Sequence, residues 1–164
     1  MPSLKISQLS EITSVQGTDL IEVSQDAGGS AYSSKKIQLS NLASHLGIPG
    51  EISMTIDANG LVISTGKKNW GKMPYAGTIV SWDITGDQTG SCSISIEKCT
   101  YSGFPSFSSI SASAPVTLTS AVKNTSSTLT GWTISFAAGD YIRPSVDSVS
   151  ALTKIVLNLQ VIRS

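Results

Sequence analysis

The sequence predicts a mainly β protein: an antiparallel, jelly-roll-like β-sandwich preceded by a small strand-loop-strand-short-helix module. Three observations carry that expectation. Apolar and small hydroxyl residues alternate over residues 78–84, 92–96, 132–136 and 155–161, and a period of two puts one set on a buried sheet face. Turn signals recur between these runs with no helical pattern among them, the spacing of a sandwich or barrel. A break at Gly47-Ile48-Pro49-Gly50-Glu51 separates this region from a shorter unit before it.

The leading module covers residues 1–48, and its expected role is attachment or oligomerisation. Leu4-Lys5-Ile6-Ser7-Gln8-Leu9 is a short alternating stretch. Gly17-Thr18-Asp19 turns into a strand over 20–24, Asp26-Ala27-Gly28-Gly29-Ser30 is a loop, and residues 32–39 return as a second strand. Ser40 caps a short helix over 41–46, which Gly47 and Pro49 end. A unit this small must pack on a partner to be stable.

The second domain covers residues 51–164. Strands at 51–56 and 61–64 flank Asp57-Ala58-Asn59-Gly60, and Asn-Gly is a strong hairpin signal. Strands at 78–84 and 91–98 flank residues 85–90 as a second hairpin with a longer loop. A Ser-rich stretch over 101–114 carries Phe104-Pro105 and Phe107. Strands at 116–119, 131–136, 141–149 and 153–163 complete a set of about eight.

Composition bounds the function. The chain has 164 residues, 40% hydrophobic, with zero net charge and only 13% charged residues, against about 25% in an average soluble domain. No basic field gathers nucleic acid or an anionic membrane. Weakly charged sheet edges pair with one another unless covered, so a homo-oligomer is expected. No signal peptide and no membrane-spanning run is visible. Cys92 and Cys99, extended on one strand, would lie about 23 Å apart, beyond the ~7 Å that a disulfide tolerates. Cys92 shares the core face of Ile94 and Ile96, and Cys99 has the other parity. Free thiols fit synthesis in a reducing cytoplasm.

Groups that do chemistry are scarce. His45 is the single histidine, so no zinc spacing exists, and neither a nucleophile elbow nor a phosphate-binding Gly-rich loop occurs. No cofactor is expected. Asp83, Asp87, Asp140 and Asp147 are the carboxylates to weigh as a glycosidase pair, but Gly-Asp turns account for Asp87 and Asp140. Trp82 and Trp132 follow the inward parity of their strands. Trp70 differs, standing in the basic, Gly-punctuated Gly66-Lys67-Lys68-Asn69-Trp70-Gly71-Lys72-Met73-Pro74-Tyr75. Trp70, Tyr75, Lys67 and Lys68 form the candidate binding surface, for a sugar ring or another protein. The alternative is that these rings staple the loop to the sheet.

The residues also resemble a known family. Leu4-Lys5-Ile6-Ser7-Gln8-Leu9, Gly17-Thr18-Asp19-Leu20-Ile21-Glu22-Val23 and Lys36-Ile37-Gln38-Leu39-Ser40-Asn41-Leu42 resemble an N-terminal module of tailed-bacteriophage virion proteins. Pro74-Tyr75-Ala76-Gly77-Thr78-Ile79, Tyr101-Ser102-Gly103-Phe104-Pro105, Leu129-Thr130-Gly131-Trp132 and the closing Leu157-Asn158-Leu159-Gln160-Val161-Ile162-Arg163-Ser164 are similar to a β domain found in the same setting. The resemblance implies a non-enzymatic structural protein of the virion, usually a homotrimer, made in the host cytoplasm. Its implied partners are other virion proteins (of the tail or collar, or the major capsid protein) and a host surface glycan. The connection between modules is short for a fibre, so a capsid decoration or cement protein is the alternative. A soluble carbohydrate-binding β domain is the third reading.

Overall fold

The computed structural model describes residues 20–26, 32–38, 47–111 and 113–164, the first two stretches by backbone alone. The chain falls into two compact units, Met1–Leu46 and Gly47–Ser164. The expected strand at 4–9, the helix at 41–46 and His45 lie outside the described residues. In the first unit β1 (Leu20–Asp26) and β2 (Tyr32–Gln38) form an antiparallel ladder from Leu20↔Gln38 to Asp26↔Tyr32.

The second unit is mainly β, and its pairings are all antiparallel. In chain order its strands are β3 (Pro49–Asp57), β4 (Gly66–Lys67), β5 (Gly71–Lys72), β6 (Gly77–Cys99), β7 (Ser108–Ser109), β8 (Val116–Ser126), β9 (Ser135–Phe136), β10 (Tyr141–Ser150) and β11 (Lys154–Arg163). They make one nine-stranded sheet, curled into a half-barrel. Its spine is β6, 23 residues long. One side of β6 pairs with β11 and then β10; the other meets β9, β8 and β7.

Two expected hairpins are absent. Residues 85–90 do not reverse the chain: β6 runs through them, and residues 141–163 follow antiparallel along its whole length. Both strands bend together there, with Gly86 and Gly90 opposite Ile155 and the end of β10. A Cβ on either glycine would come within 2.6 Å of the Leu152 side chain. Glycine is what lets fully buried Leu152 plug the inside of the corner. Polar ties hold the outside. Asp87 accepts from the Thr153 amide at 3.1 Å, the Lys154 amide at 3.2 Å and the Thr153 hydroxyl, and Ser91 Oγ accepts from the Ser120 amide at 2.9 Å. Ala151 and Ser120 take positive φ at the same corner, 68° and 46°.

Asn59 and Gly60 do take left-handed φ, 52° and 82°, and Leu61 N–H donates to the Ala58 carbonyl at 3.1 Å. The chain after them nevertheless leaves β3. Ile63, 2% exposed, drops onto the corner, where its amide donates to the Leu152 carbonyl at 2.9 Å. Burial of that isoleucine, about 1.5–3 kcal/mol, outweighs a two-stranded ladder with a solvated edge.

The core is a single cluster lining the inside of the curl. Ile155, Leu157, Leu159 and Val161 of β11 alternate inward as expected, and Ile142 and Val146 of β10 join them in the core. Along β6 the parity switches. The pairing with β11 skips Val80, a bulge that shifts the inward set from Ile79 to Trp82 and Ile84. Trp82 and Trp132 are both core, 5% and 8% exposed, and Trp132 Nε1 donates to the Ala114 carbonyl at 2.8 Å. Cys92 and Cys99 are free thiols; Cys92 belongs to the core cluster, while Cys99 is buried outside it.

Candidate functional site: an aromatic face and its cleft

A proline creates the site. In an antiparallel strand a residue's N–H and C=O point to the same side. The Pro144 carbonyl accepts from the Lys68 amide at 2.9 Å, but proline has no N–H to return. The ladder along β10 therefore breaks between β4, opposite Ser145 and Val146, and β5, opposite Tyr141 and Ile142. Asn69 and Trp70 leave the sheet at that break. Met73, 5% exposed, pins the segment back down, with its amide donating to the Asp140 carbonyl at 2.7 Å.

Trp70 is 53% exposed and meets the Phe104 ring edge-on at 5.5 Å. Phe104 arrives from the turn after β6, where the Gly103 amide donates to both the Thr100 carbonyl and the Thr100 hydroxyl at 3.1 Å. Phe104 also lies 4.9 Å from Tyr141 and 6.1 Å from Phe107, and Tyr101 stacks on Tyr141 at 6.4 Å. Tyr141 and Arg143 have the outward parity of β10, opposite Ile142 and Pro144. Five rings from three distant segments thus share one outer face.

Cations brace the rings. The Arg143 guanidinium lies 3.8 Å from the Phe107 centroid and binds Glu97 Oε2 through Nε at 2.7 Å and Nη2 at 2.6 Å. Lys72 Nζ lies 4.7 Å from the Tyr101 ring. Such contacts contribute about 0.5–2 kcal/mol each, which helps to hold Phe107 and Tyr101 in place.

Beside Trp70 is a cleft of about 260 Å³ between β3 and residues 68–71, floored by Ile52, Met73 and Ile142. Lys68, Asn69 and the unpaired edge of β3 at residues 53–55 bring its polar groups. Lys68 is half-buried, and its Nζ donates to the Ser64 carbonyl at 2.7 Å and Ser64 Oγ at 3.2 Å.

Of the four residues singled out from sequence, Trp70, Lys67 and Lys68 share this region, and Tyr75 joins other neighbours. Its ring lies 6.2 Å from Phe136 under the Arg163 guanidinium, and its hydroxyl donates to the Glu51 carbonyl at 3.4 Å. Tyr75 thus ties its segment to the sheet, whereas Trp70 stays 53% exposed against Phe104. Tyr101, Phe104 and Tyr141 are additions that sequence reasoning missed. The only signal for Tyr101 and Phe104 was the Tyr-x-x-Phe-Pro spacing inside a Ser-rich stretch, and Tyr141 read as an ordinary strand residue.

The four aspartates have separate partners. Asp83 takes Asn158 Nδ2 at 3.0 Å and Gln160 Nε2 at 3.4 Å, Asp147 takes Ser95 Oγ at 2.7 Å, and Asp87 ties the corner. Asp140, 4% exposed, accepts from the Ala137 amide at 2.9 Å and pairs with Lys98 at 3.4 Å. Among the described residues no three His, Cys, Asp or Glu side chains stand together as a metal site, and no helix is long and apolar enough to cross a membrane. No protein family, curated protein or solved structure matches the chain.

Proposed function

We propose that this chain is a non-enzymatic adhesion module: a short, oligomeric, fibre-like appendage of a tailed-phage virion. The first unit attaches it, and the β domain displays the face around Trp70. One observation supports this reading over a cement protein. Trp70, Tyr101 and Phe104 are 53%, 67% and 41% exposed on one braced surface. Large exposed rings held by their neighbours bind at low entropic cost. On this reading the two arms of the curled sheet serve as the two layers of a jelly-roll-like sandwich, with the cluster between them as its core.

The test combines location with substitution. Cryo-electron microscopy of particles should place the chain at the tail or a few vertices, with the Trp70 face outward. Particles carrying Trp70→Ala, Tyr101→Ala and Phe104→Ala together should adsorb to host cells more slowly. An icosahedral array over the shell, with unchanged adsorption, would assign the chain to head stabilisation instead.

A further inference from the structure

We infer that the cleft between β3 and residues 68–71 is a binding subsite for an anionic saccharide, with Trp70 as its stacking wall and Lys68 as its charge contact. The inference rests on the reading of the Trp70 face as a docking surface, and it names what docks there.

Shape and surface chemistry come first. The cleft, about 260 Å³, falls short of the ~300–1,000 Å³ typical of drug-sized ligands. It suits one sugar ring, with neighbouring units running along the surface. A pyranose presents apolar C–H groups on its faces and hydroxyls around its rim. The cleft has the matching division: an indole and the floor of Ile52, Met73 and Ile142 against the C–H faces, and Asn69 with the unpaired edge of β3 at residues 53–55 for the hydroxyls.

Charge distribution makes the ligand an anion. Lys98, Arg143 and Lys154 are paired with Asp140, Glu97 and Asp57. Lys67, Lys68 and Lys72 have no carboxylate partner among the described residues, and all three lie within three positions of Trp70. No carboxylate lines the cleft. Lys68 is also pre-positioned: two of its three N–H donors are engaged by Ser64, which leaves one for a ligand. Because Lys68 is half-buried, its charge is screened less than that of a free surface lysine.

A nucleic-acid strand is the competing anion, since it too uses rings and lysines. It requires open ring faces in series. Here Tyr101 and Tyr141 already stack on each other, and Phe104 is hemmed by Trp70, Phe107 and Tyr141. Of these rings Trp70 is the one that lines the cleft, which is the arrangement for one sugar and not for successive bases.

The test is a fluorescence titration of the full-length chain with an alginate tetrasaccharide, glucose 6-phosphate, maltotetraose and an oligothymidylate. The anionic sugars should shift the emission of Trp70 and bind at least about ten-fold more tightly than neutral maltotetraose at low salt, a gap that narrows as salt is added. Trp70→Ala and Lys68→Gln should each weaken binding about ten-fold with unchanged melting temperature, and Lys123→Gln should have no effect. Equal affinity for maltotetraose, tighter binding of the oligothymidylate, or no binding of either anionic sugar would overturn the inference. The two readings fail separately. Impaired adsorption of the triple variant without sugar binding removes only the saccharide; sugar binding with normal adsorption removes only adhesion.

Discussion

Leu152 presses against Gly90 so closely that a Cβ there would lie 2.6 Å from Leu152 Cγ and 2.7 Å from the Ser150 carbonyl oxygen. Gly86 differs: its close neighbour is Leu152 Cδ2 at 2.6 Å, and the nearest backbone atom, the Gln88 carbonyl oxygen, is 3.3 Å away. The expected outcome is a difference in rescue. Leu152→Ala should cost about 2–5 kcal/mol by emptying the corner. Added to it, Gly86→Ala should be largely tolerated, whereas Gly90→Ala should still destabilise because the carbonyl remains in the way. Urea unfolding of the double-mutant cycles measures both couplings.

Acid should loosen the same corner. The Thr153 hydroxyl, followed by the amides of Lys154 and Thr153, holds the Asp87 carboxyl below its usual value of 3.8. The Asn59 amide and then Lys154 do the same for Asp57. A carboxyl with a lowered folded pKa contributes fully above its unfolded value, and that contribution is lost as pH falls through the folded one. Asp87→Asn should therefore melt below wild type at pH 7, with the gap closing below about pH 4. Melting curves across that range decide it.

The three tryptophans should respond unequally to a quencher. Trp70 is 53% exposed against 5% and 8% for Trp82 and Trp132. Acrylamide should quench one component strongly, and Trp70→Phe should abolish that component while changing stability by less than about 1 kcal/mol. Stern–Volmer plots of both proteins test the exposure directly.

Neither thiol should react in the folded domain. Cys92 and Cys99 are each 5% exposed, and burial pushes the Cys92 thiol above its usual pKa, which lowers its thiolate fraction. A colorimetric thiol reagent at pH 8 should label neither within minutes and both after addition of guanidinium. Prompt labelling of the native protein would show that the fold opens locally at β6.

Alternation was the legible part of this fold. It placed Ile155, Leu157, Leu159 and Val161 inward and assigned Trp82 and Trp132 to the core, because a two-residue period is a local property. What local pattern does not encode is how a turn residue is used. Gly86 and Gly90 read as a loop between hairpin arms, yet they serve a shared bend, where their missing side chains make room for Leu152. Asn59-Gly60 makes its turn, but the strand expected after it yields to the burial of Ile63. The aromatic face was only partly legible for the same reason. Trp70 stood out within its own segment, while Tyr101, Phe104 and Tyr141 join it only through the geometry of β10. Pro144, which opens the ladder for Trp70, gave no sign of that role in a strand that otherwise alternates normally.

The position of β3 has a consequence for time as well as for shape. β3 joins the sheet only through β11, with Ile52 opposite Leu159 and Ile56 opposite Ile155, partners about a hundred positions apart. Until the later strand is made, the earlier one has nothing to pair with and its edge stands open. Such long closures fold slowly, in about milliseconds to seconds, and expose an unpaired edge to neighbouring chains meanwhile. A chain still being made thus shows the first strand of this sheet to its surroundings for as long as the last one takes to appear.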